Sequence, residues 1–441
     1  MELFNADFGG ARITGHGIGP VLEPFSRVSR IAVLRGGGLG DLMFALPAVA
    51  ALKAAYPGAS ITLLGTPVHA ELLAQTAGPV DETVILPFAE GVRPGPEDDA
   101  ETERFFAAMR ARNFDLAVQL HGGGRYSNPF LLLLGARHTV GTRTPDAAPL
   151  ERTVPYLYYQ HEPLRALEVA GFAGAPPREL EARLEALPEF GQQLAQDLPL
   201  GNSAPGQGND DPGQGNRGPG QGRVLVIHPG ATDPRRRWPA ERFAAVARKA
   251  ADDGFRVYVV GDSSEKELAE TVVELAVEHF STSQFRTGQP STGQPSTGQS
   301  STGRASTEQS PAGGSGAARP CIESLAGNLS LGELAALLAG SAVVVANDSG
   351  PRHLAQALGT PTVGIYWTGN AINAAPLGRS LHRIHLGWAT RCEVCGVDIT
   401  QVGWTAPRCP HDESTVKAVE PGEVYEDVLQ LTATSPLPHG R

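Results

Sequence analysis

Short apolar runs alternate with stretches of helical periodicity in two separate parts of the chain. In the first part, the run 31–34 reads as a strand that feeds a helix from Asp41 to about Ala55. Leu42, Leu46, Val49, Leu52 and Tyr56 fall at helical spacing along it, and Pro57 with Gly58 ends it. Further strands are expected at 61–64, 82–86 and 116–120, with a helix at 101–112. The second part repeats the scheme with strands at 224–227, 256–260, 342–345 and 362–366. Helices are expected there at 240–251, 265–279, 331–338 and 352–358, the third opened by a capping-box pair, Ser330 and Glu333. Alternation of this kind predicts an α/β fold with two Rossmann-like domains, each on a parallel sheet. Ligands of such sheets sit beyond the carboxyl ends of the strands, so the strand-to-helix turns are where chemistry is expected.

Two low-complexity segments punctuate the pattern. Residues 201–222 repeat Pro-Gly-Gln-Gly, and residues 282–319 repeat Ser-Thr-Gly-Gln-Pro. Neither holds enough apolar side chain to offset chain entropy, so both are expected to be disordered and without chemistry. The organisation read from sequence is an extension (1–29), a first domain (30–200), a linker (201–222), a second domain (223–430) interrupted by the 282–319 insertion, and a tail (431–441).

Charge narrows the function classes. A formal net charge of −11 leaves no basic face for nucleic acid, so no nucleic-acid partner is expected. Three of the four cysteines lie between Cys392 and Cys409, unlike a dispersed disulfide framework, which suggests a reducing, cytoplasmic setting. No leader-like start and no membrane-length apolar run is read in the chain.

The first turn, IAVLRGGGLGD, ends on Asp41. A dinucleotide fingerprint fails there, because Asp41 occupies the third glycine position and would oppose a pyrophosphate. The next strand also ends in Leu64-Gly65, not in an acid suited to a ribose, and no Walker A loop or Asp-x-Asp metal pair is present. Asp41 instead suits a general base kept ionised by the helix start, with a plain helix cap as the alternative. Gly36, Gly37, Gly38 and Gly40 would let a substrate approach the backbone closely. The second turn, AVVVANDSGPRH, delivers Asp348, Ser349 and Gly350 to a helix start suited to phosphate oxygens. Asp348 itself would repel phosphate, and is expected to bind sugar hydroxyls or to position His353. A third element, HPGATDPRRRWP, puts three arginines in a loop after a strand, suited to a diphosphate, or else to a solvated patch.

These elements in this order resemble glycosyltransferase family 9, the heptosyltransferase family, over approximately residues 30–143 and 223–430. The likeness is carried by IAVLRGGGLGDLMFALPAVAALKAAYP, FDLAVQLHGGGR, VIHPGATDPRRRWPAERFAAVA and LAGSAVVVANDSGPRHLAQALGTPTVGIY. It implies a GT-B architecture, two Rossmann-like domains facing a central cleft. It also implies inverting, metal-independent transfer of a sugar from a nucleotide-diphospho-sugar, typically ADP-heptose, to a hydroxyl of a cell-envelope glycan or glycolipid such as the lipopolysaccharide core. On this resemblance Asp41 matches the base, and Arg236 stands where the family commonly has a diphosphate-binding lysine. Glu265 matches an acid near the ribose, and Leu329 a backbone contact to the base. Asp348, Ser349, Gly350 and His353 match phosphate and sugar contacts. The acceptor is expected against Gly37, Gly38, His121 and Arg125, and a glycolipid acceptor would bring the protein transiently to the inner membrane surface. A sugar-nucleotide epimerase of similar fold and a non-catalytic nucleotide-sugar-binding or scaffold protein are the alternatives.

Cys392, Cys395, Cys409 and His411 form a C-x2-C-x13-C-x-H pattern in one short segment. It could close a tetrahedral structural zinc site, with packed or redox-labile thiols as the other reading. No cofactor is expected for catalysis.

Overall fold

The structure is a computed structural model that describes residues 17–197, 223–283, 322–400 and 408–433. The expected linker, the insertion beyond Ser283 and the tail beyond Ala433 lie outside the described residues.

The first half runs β1 (Arg30–Leu34), α1 (Leu39–Ala55), β2 (Ser60–Gly65), α2 (Pro67–Ala74), β3 (Thr76–Ala77), β4 (Glu82–Ile85) and α3 (Asp99–Ala111). It continues with β5 (Leu116–Gln119), α4 (Ser127–Leu132), β6 (His138–Arg143), β7 (Arg152–Pro155), α5 (Glu162–Phe172), β8 (Glu185–Ala186) and α6 (Pro188–Asp197). Six strands form a parallel sheet in the order β4-β2-β1-β5-β6-β7. The second half runs β9 (Val224–His228), α7 (Ala240–Asp252), β10 (Arg256–Val259), α8 (Lys266–Ser283), β11 (Ile322–Ser324), α9 (Leu331–Gly340) and β12 (Val343–Asn347). Then follow α10 (Gly350–Ala357), β13 (Thr362–Trp367), α11 (Thr368–Ala374), β14 (His382–Gly387) and α12 (Pro421–Ala433). Its sheet is also six-stranded and parallel, in the order β11-β10-β9-β12-β13-β14. This is the GT-B arrangement of two Rossmann-like domains.

The central strands are apolar throughout because both faces are covered. Ile31 and Val33 of β1 point into one core while Ala32 and Leu34 point into another. In β9, Val226 faces the same core as Ile31, and Leu225 and Ile227 face a third. One apolar core is therefore continuous between the two halves. It is carried by α1 packed on α10 and by α6 packed on α9.

Several local details depart from the sequence reading. Helix α1 starts at Leu39, with Gly38 as its cap, so Asp41 lies inside the first turn and its Oδ2 reaches back to the Gly38 N–H at 2.9 Å. Glu265 falls in a short 3-10 turn (Ser263–Glu265) just before α8. Residues 17–29 are built into the first half: Leu22 N–H donates to the Gly171 carbonyl at 3.0 Å, and Phe25 stacks on His138 with ring centroids 4.2 Å apart. Helix α6, read as part of the first domain, lies against α9 of the second.

Candidate active site at the domain interface

At the end of β1, the buried Arg35 side chain is held from three directions. It donates to the Leu120 carbonyl, its Nη2 is 2.6 Å from Asp41 Oδ1, and its Nη1 is 3.5 Å from Glu162 Oε2 on α5. Burial alone would raise the Asp41 pKa, yet the Arg35 charge and the Gly38 N–H together hold it below the usual carboxylate range. The Asp41 side chain remains 43% exposed, so this anionic oxygen pair is accessible. Gly37 has a φ of +92°, and a Cβ there would stand 2.3 Å from Asp41 Oδ2, so both conformation and space require glycine.

The expected acceptor-side residues divide. His121 Nδ1 accepts from the Gly36 N–H at 3.2 Å, and its Nε2 donates to the Gly91 carbonyl at 3.1 Å. Burial and then the Arg35 charge push its pKa down to about 4, so it is a neutral brace for the glycine turn. Arg125 is 65% exposed and lies 3.7 Å from Asp146, out on the rim. Gly38 has open space at its Cβ position.

Across the interface, β12 delivers Asp348 to the cap of α10. The buried Asp348 carboxylate receives His353 Nε2 at 2.9 Å, Arg236 Nη1 at 3.2 Å and Asn370 Nδ2 at 2.6 Å. Burial opposes its ionisation, but the His353 hydrogen bond and the Arg236 charge hold its pKa far below the ordinary range. The proton of His353 is fixed by its neighbours. The Arg352 guanidinium, which can only donate, lies 3.0 Å from Nδ1, so Nε2 carries the hydrogen toward Asp348. Burial and the Arg352 charge lower the His353 pKa and keep the ring neutral.

Ser349 does not cap α10 with its side chain. Its hydroxyl meets His228 Nδ1 at 2.9 Å, while His228 Nε2 is 3.0 Å from Glu265 Oε2. An ionised Glu265 only accepts, so His228 donates to it from Nε2 and accepts the Ser349 hydroxyl at Nδ1. Of the three arginines, Arg235 is paired with Asp233 at 2.6 Å and Arg237 donates to the Ala231 carbonyl at 2.9 Å. Arg236, 26% exposed, rests on Asp348 at 3.2 Å. Leu329 is half-buried and packs against the core beside the Ser330 cap of α9.

The two turns meet. A Cβ on Gly40 would stand 3.2 Å from His353 Cδ2, one on Gly350 would stand 2.8 Å from Leu39 Cβ, and Phe44 meets His353 edge-on at 4.7 Å between centroids. Asp41 of one half and the His353–Asp348–Arg236 chain of the other therefore share one junction. Sequence reasoning missed Arg35, Glu162, His228, Arg352 and Asn370; Arg35, His228 and Arg352 sat inside the motifs singled out and carried a local signal, whereas Glu162 and Asn370 carried none.

The family model of glycosyltransferase family 9 (heptosyltransferase) matches residues 102–285 and 305–397. The chain belongs to glycosyltransferase family 9. This family 9 chain is 22% identical to lipopolysaccharide heptosyltransferase 2 of Escherichia coli K12, over 81% of this chain and 88% of that one. In fold it is similar to the E. coli ADP-heptose LPS heptosyltransferase II (TM-score 0.59, 16% identity, 92% of this chain and 98% of that one). It is likewise similar to a family 9 glycosyl transferase from Veillonella parvula (TM-score 0.62, 17% identity, with the same coverage). Glycosyltransferase activity is thus the general function.

One further cluster of this family 9 chain lies away from the junction. The donor atoms of Cys392, Cys395, Cys409 and His411 all lie within 4.8 Å of one another. Hydrogen bonds from the backbone N–H groups of Cys395 and Val394 draw the Cys392 thiol down to about 6. Among the described residues, no helix is long and apolar enough to cross a membrane.

Proposed function

We propose that this protein is an inverting transferase that moves a sugar, heptose by its family likeness, from a nucleotide-diphospho-sugar to a hydroxyl of a cell-envelope glycan or glycolipid. The observation that carries the reading is the meeting of an accessible, Arg35-held carboxylate with a helix start and the Asp348-paired, partly exposed Arg236 across the domain junction. Asp41 takes the proton of the acceptor hydroxyl, which attacks the anomeric carbon from the face opposite the diphosphate. As the glycosidic oxygen departs, negative charge grows on the diphosphate. Arg236 and the amides at the start of α10 receive that charge, which leaves no role in this scheme for a metal bound to the donor.

Glu265 holds the ribose, and Leu329 borders the base through its backbone. Asp348 and His353 serve the sugar hydroxyls, and Ser349 and Gly350 a phosphate. Asp348 and His353 are nearly closed to solvent in the arrangement described. Donor entry therefore requires the halves to part at α1 and α10, and closure behind the donor excludes water. The acceptor lies on the first half, near Gly37, Gly38, His121 and the Arg125 rim, and a glycolipid acceptor would be met at the inner membrane surface. ADP-heptose is the proposed donor because the similar E. coli protein is a lipopolysaccharide heptosyltransferase by name and its structure names ADP-heptose.

Calorimetric titration of the purified protein with ADP, GDP, UDP and dTDP and their sugar conjugates, without added divalent metal, tests the reading. Selective binding of the adenine compounds supports it. Binding of a different base overturns the donor assignment, and binding of none overturns the transferase scheme.

A further inference from the structure

We propose that Cys392, Cys395, Cys409 and His411 bind one zinc ion, and that this ion braces the arginine loop that presents Arg236 to the donor. The second half of the proposal rests on the reading of Arg236 given above; the first does not.

The ligand set is suited to a structural zinc. A tetrahedral zinc with sulfur ligands at about 2.3 Å needs its donor atoms about 3.8 Å apart. The four donors here already lie within 4.8 Å of one another, with Cys392 Sγ 3.6 Å from His411 Nδ1. Three thiolates and an imidazole favour zinc over the hard cations magnesium and calcium, and four protein ligands leave no open position for a substrate. The backbone is folded for the purpose. Cys392 N–H donates to the Val397 carbonyl at 2.9 Å and Gly396 N–H to the Cys392 carbonyl at 2.8 Å, with Gly396 at a φ of +73°. This tight turn directs amide hydrogens at the first two thiols. Arg235 and Arg391 line the same small cavity together with Glu393 and Glu413, and Arg391 donates to the Gly396 carbonyl at 3.1 Å, bracing the turn between the first two thiols.

The brace is read from hydrogen bonds. The segment carrying Cys409 and His411 runs directly into Ser414 and Thr415. Thr415 donates to the Arg235 carbonyl from both its N–H and its hydroxyl, each at 2.8 Å. Ser414 Oγ donates to the Arg237 carbonyl at 2.6 Å, and Arg408 lies 3.5 Å from Asp233. These contacts grip the loop on both sides of Arg236. The segment holding it has little apolar burial before Val416, so the metal is its anchor on the side of Cys409.

The test uses the full chain, purified under reducing conditions without chelator. Elemental analysis is expected to give about one zinc per chain, falling to background in Cys392→Ser/Cys409→Ser. Cobalt(II) replacing the zinc is expected to give tetrahedral ligand-field bands and thiolate charge-transfer absorption. Absence of both zinc uptake and cobalt bands would overturn the site, and iron in its place would overturn the metal assigned. Removing the ion with a chelator and restoring it should reversibly raise amide hydrogen exchange at 231–237 and 408–416, leaving α1 unchanged. Donor affinity should weaken about tenfold in the metal-free state. Unchanged exchange in a zinc-depleted sample would overturn the brace. Increased exchange with unchanged donor affinity would uphold the brace and overturn the role given to Arg236.

Discussion

Arg35 Nη2 lies 2.6 Å from Oδ1 of Asp41, and this pair sets the protonation state of the residue on which the proposed chemistry turns. Burial of Asp41 works against ionisation, and the Arg35 charge reverses the outcome. Replacing Arg35 with methionine keeps most of the volume and removes the charge, so the Asp41 pKa must rise. The acid limb of the kcat/KM profile for transfer is expected to move up by about one unit or more. An unmoved acid limb would separate Asp41 from the titration that governs rate.

Stability should fall in mild acid because of histidines held neutral by the fold. Burial and then the Arg352 charge push His382 down to about 3, and His121 titrates at about 4. In the unfolded chain both take up a proton near 6.5, so the unfolded state binds more protons below that pH and the folded state loses ground. The nearly buried His382 is worth on the order of 2–3 kcal/mol by pH 4.5, and the more open His121 less after solvent screening. Urea unfolding of the wild type between pH 7 and 4.5 should show this decline. His382→Gln is expected to flatten it, and an equally steep profile in that variant would assign the loss elsewhere.

Asn347, at the end of β12, ties the arginine loop to the sheet. Its Oδ1 accepts the Trp238 N–H at 3.0 Å, and its Nδ2 donates to the Pro229 carbonyl at 2.7 Å, all of it buried. Asn347→Leu strands both backbone groups without a partner. A loss of about 2–3 kcal/mol is expected from the shift of the denaturant midpoint at constant slope. A shift under about 0.5 kcal/mol would show that the loop does not depend on Asn347.

Elements whose signal is local were legible in the chain. The alternation of strand and helix, the glycine turn before Asp41 and the start of α10 all follow from periodicity and turn chemistry. What escaped was long-range pairing. Glu162 reaches Arg35 only because α5 packs back onto the first sheet, and His228 meets Ser349 and Glu265 only once β9 lies between β10 and β12. Three adjacent arginines look equivalent in a string of letters. Folding commits Arg235 to Asp233 and Arg237 to a carbonyl, and sets Arg236 against Asp348. The contacts of residues 17–29 with Gly171 and of α6 with α9 escaped for a related reason: the partners are distant in sequence.

The central claim is that Asp41 removes the acceptor proton. Asp41→Asn preserves size and an oxygen facing Arg35 while removing the base, so the decisive measurement is its transfer rate, set beside its affinity for the donor selected by the nucleotide titration. The account predicts transfer slowed at least about a hundredfold with donor affinity within about threefold of wild type. Transfer at the wild-type rate would contradict it.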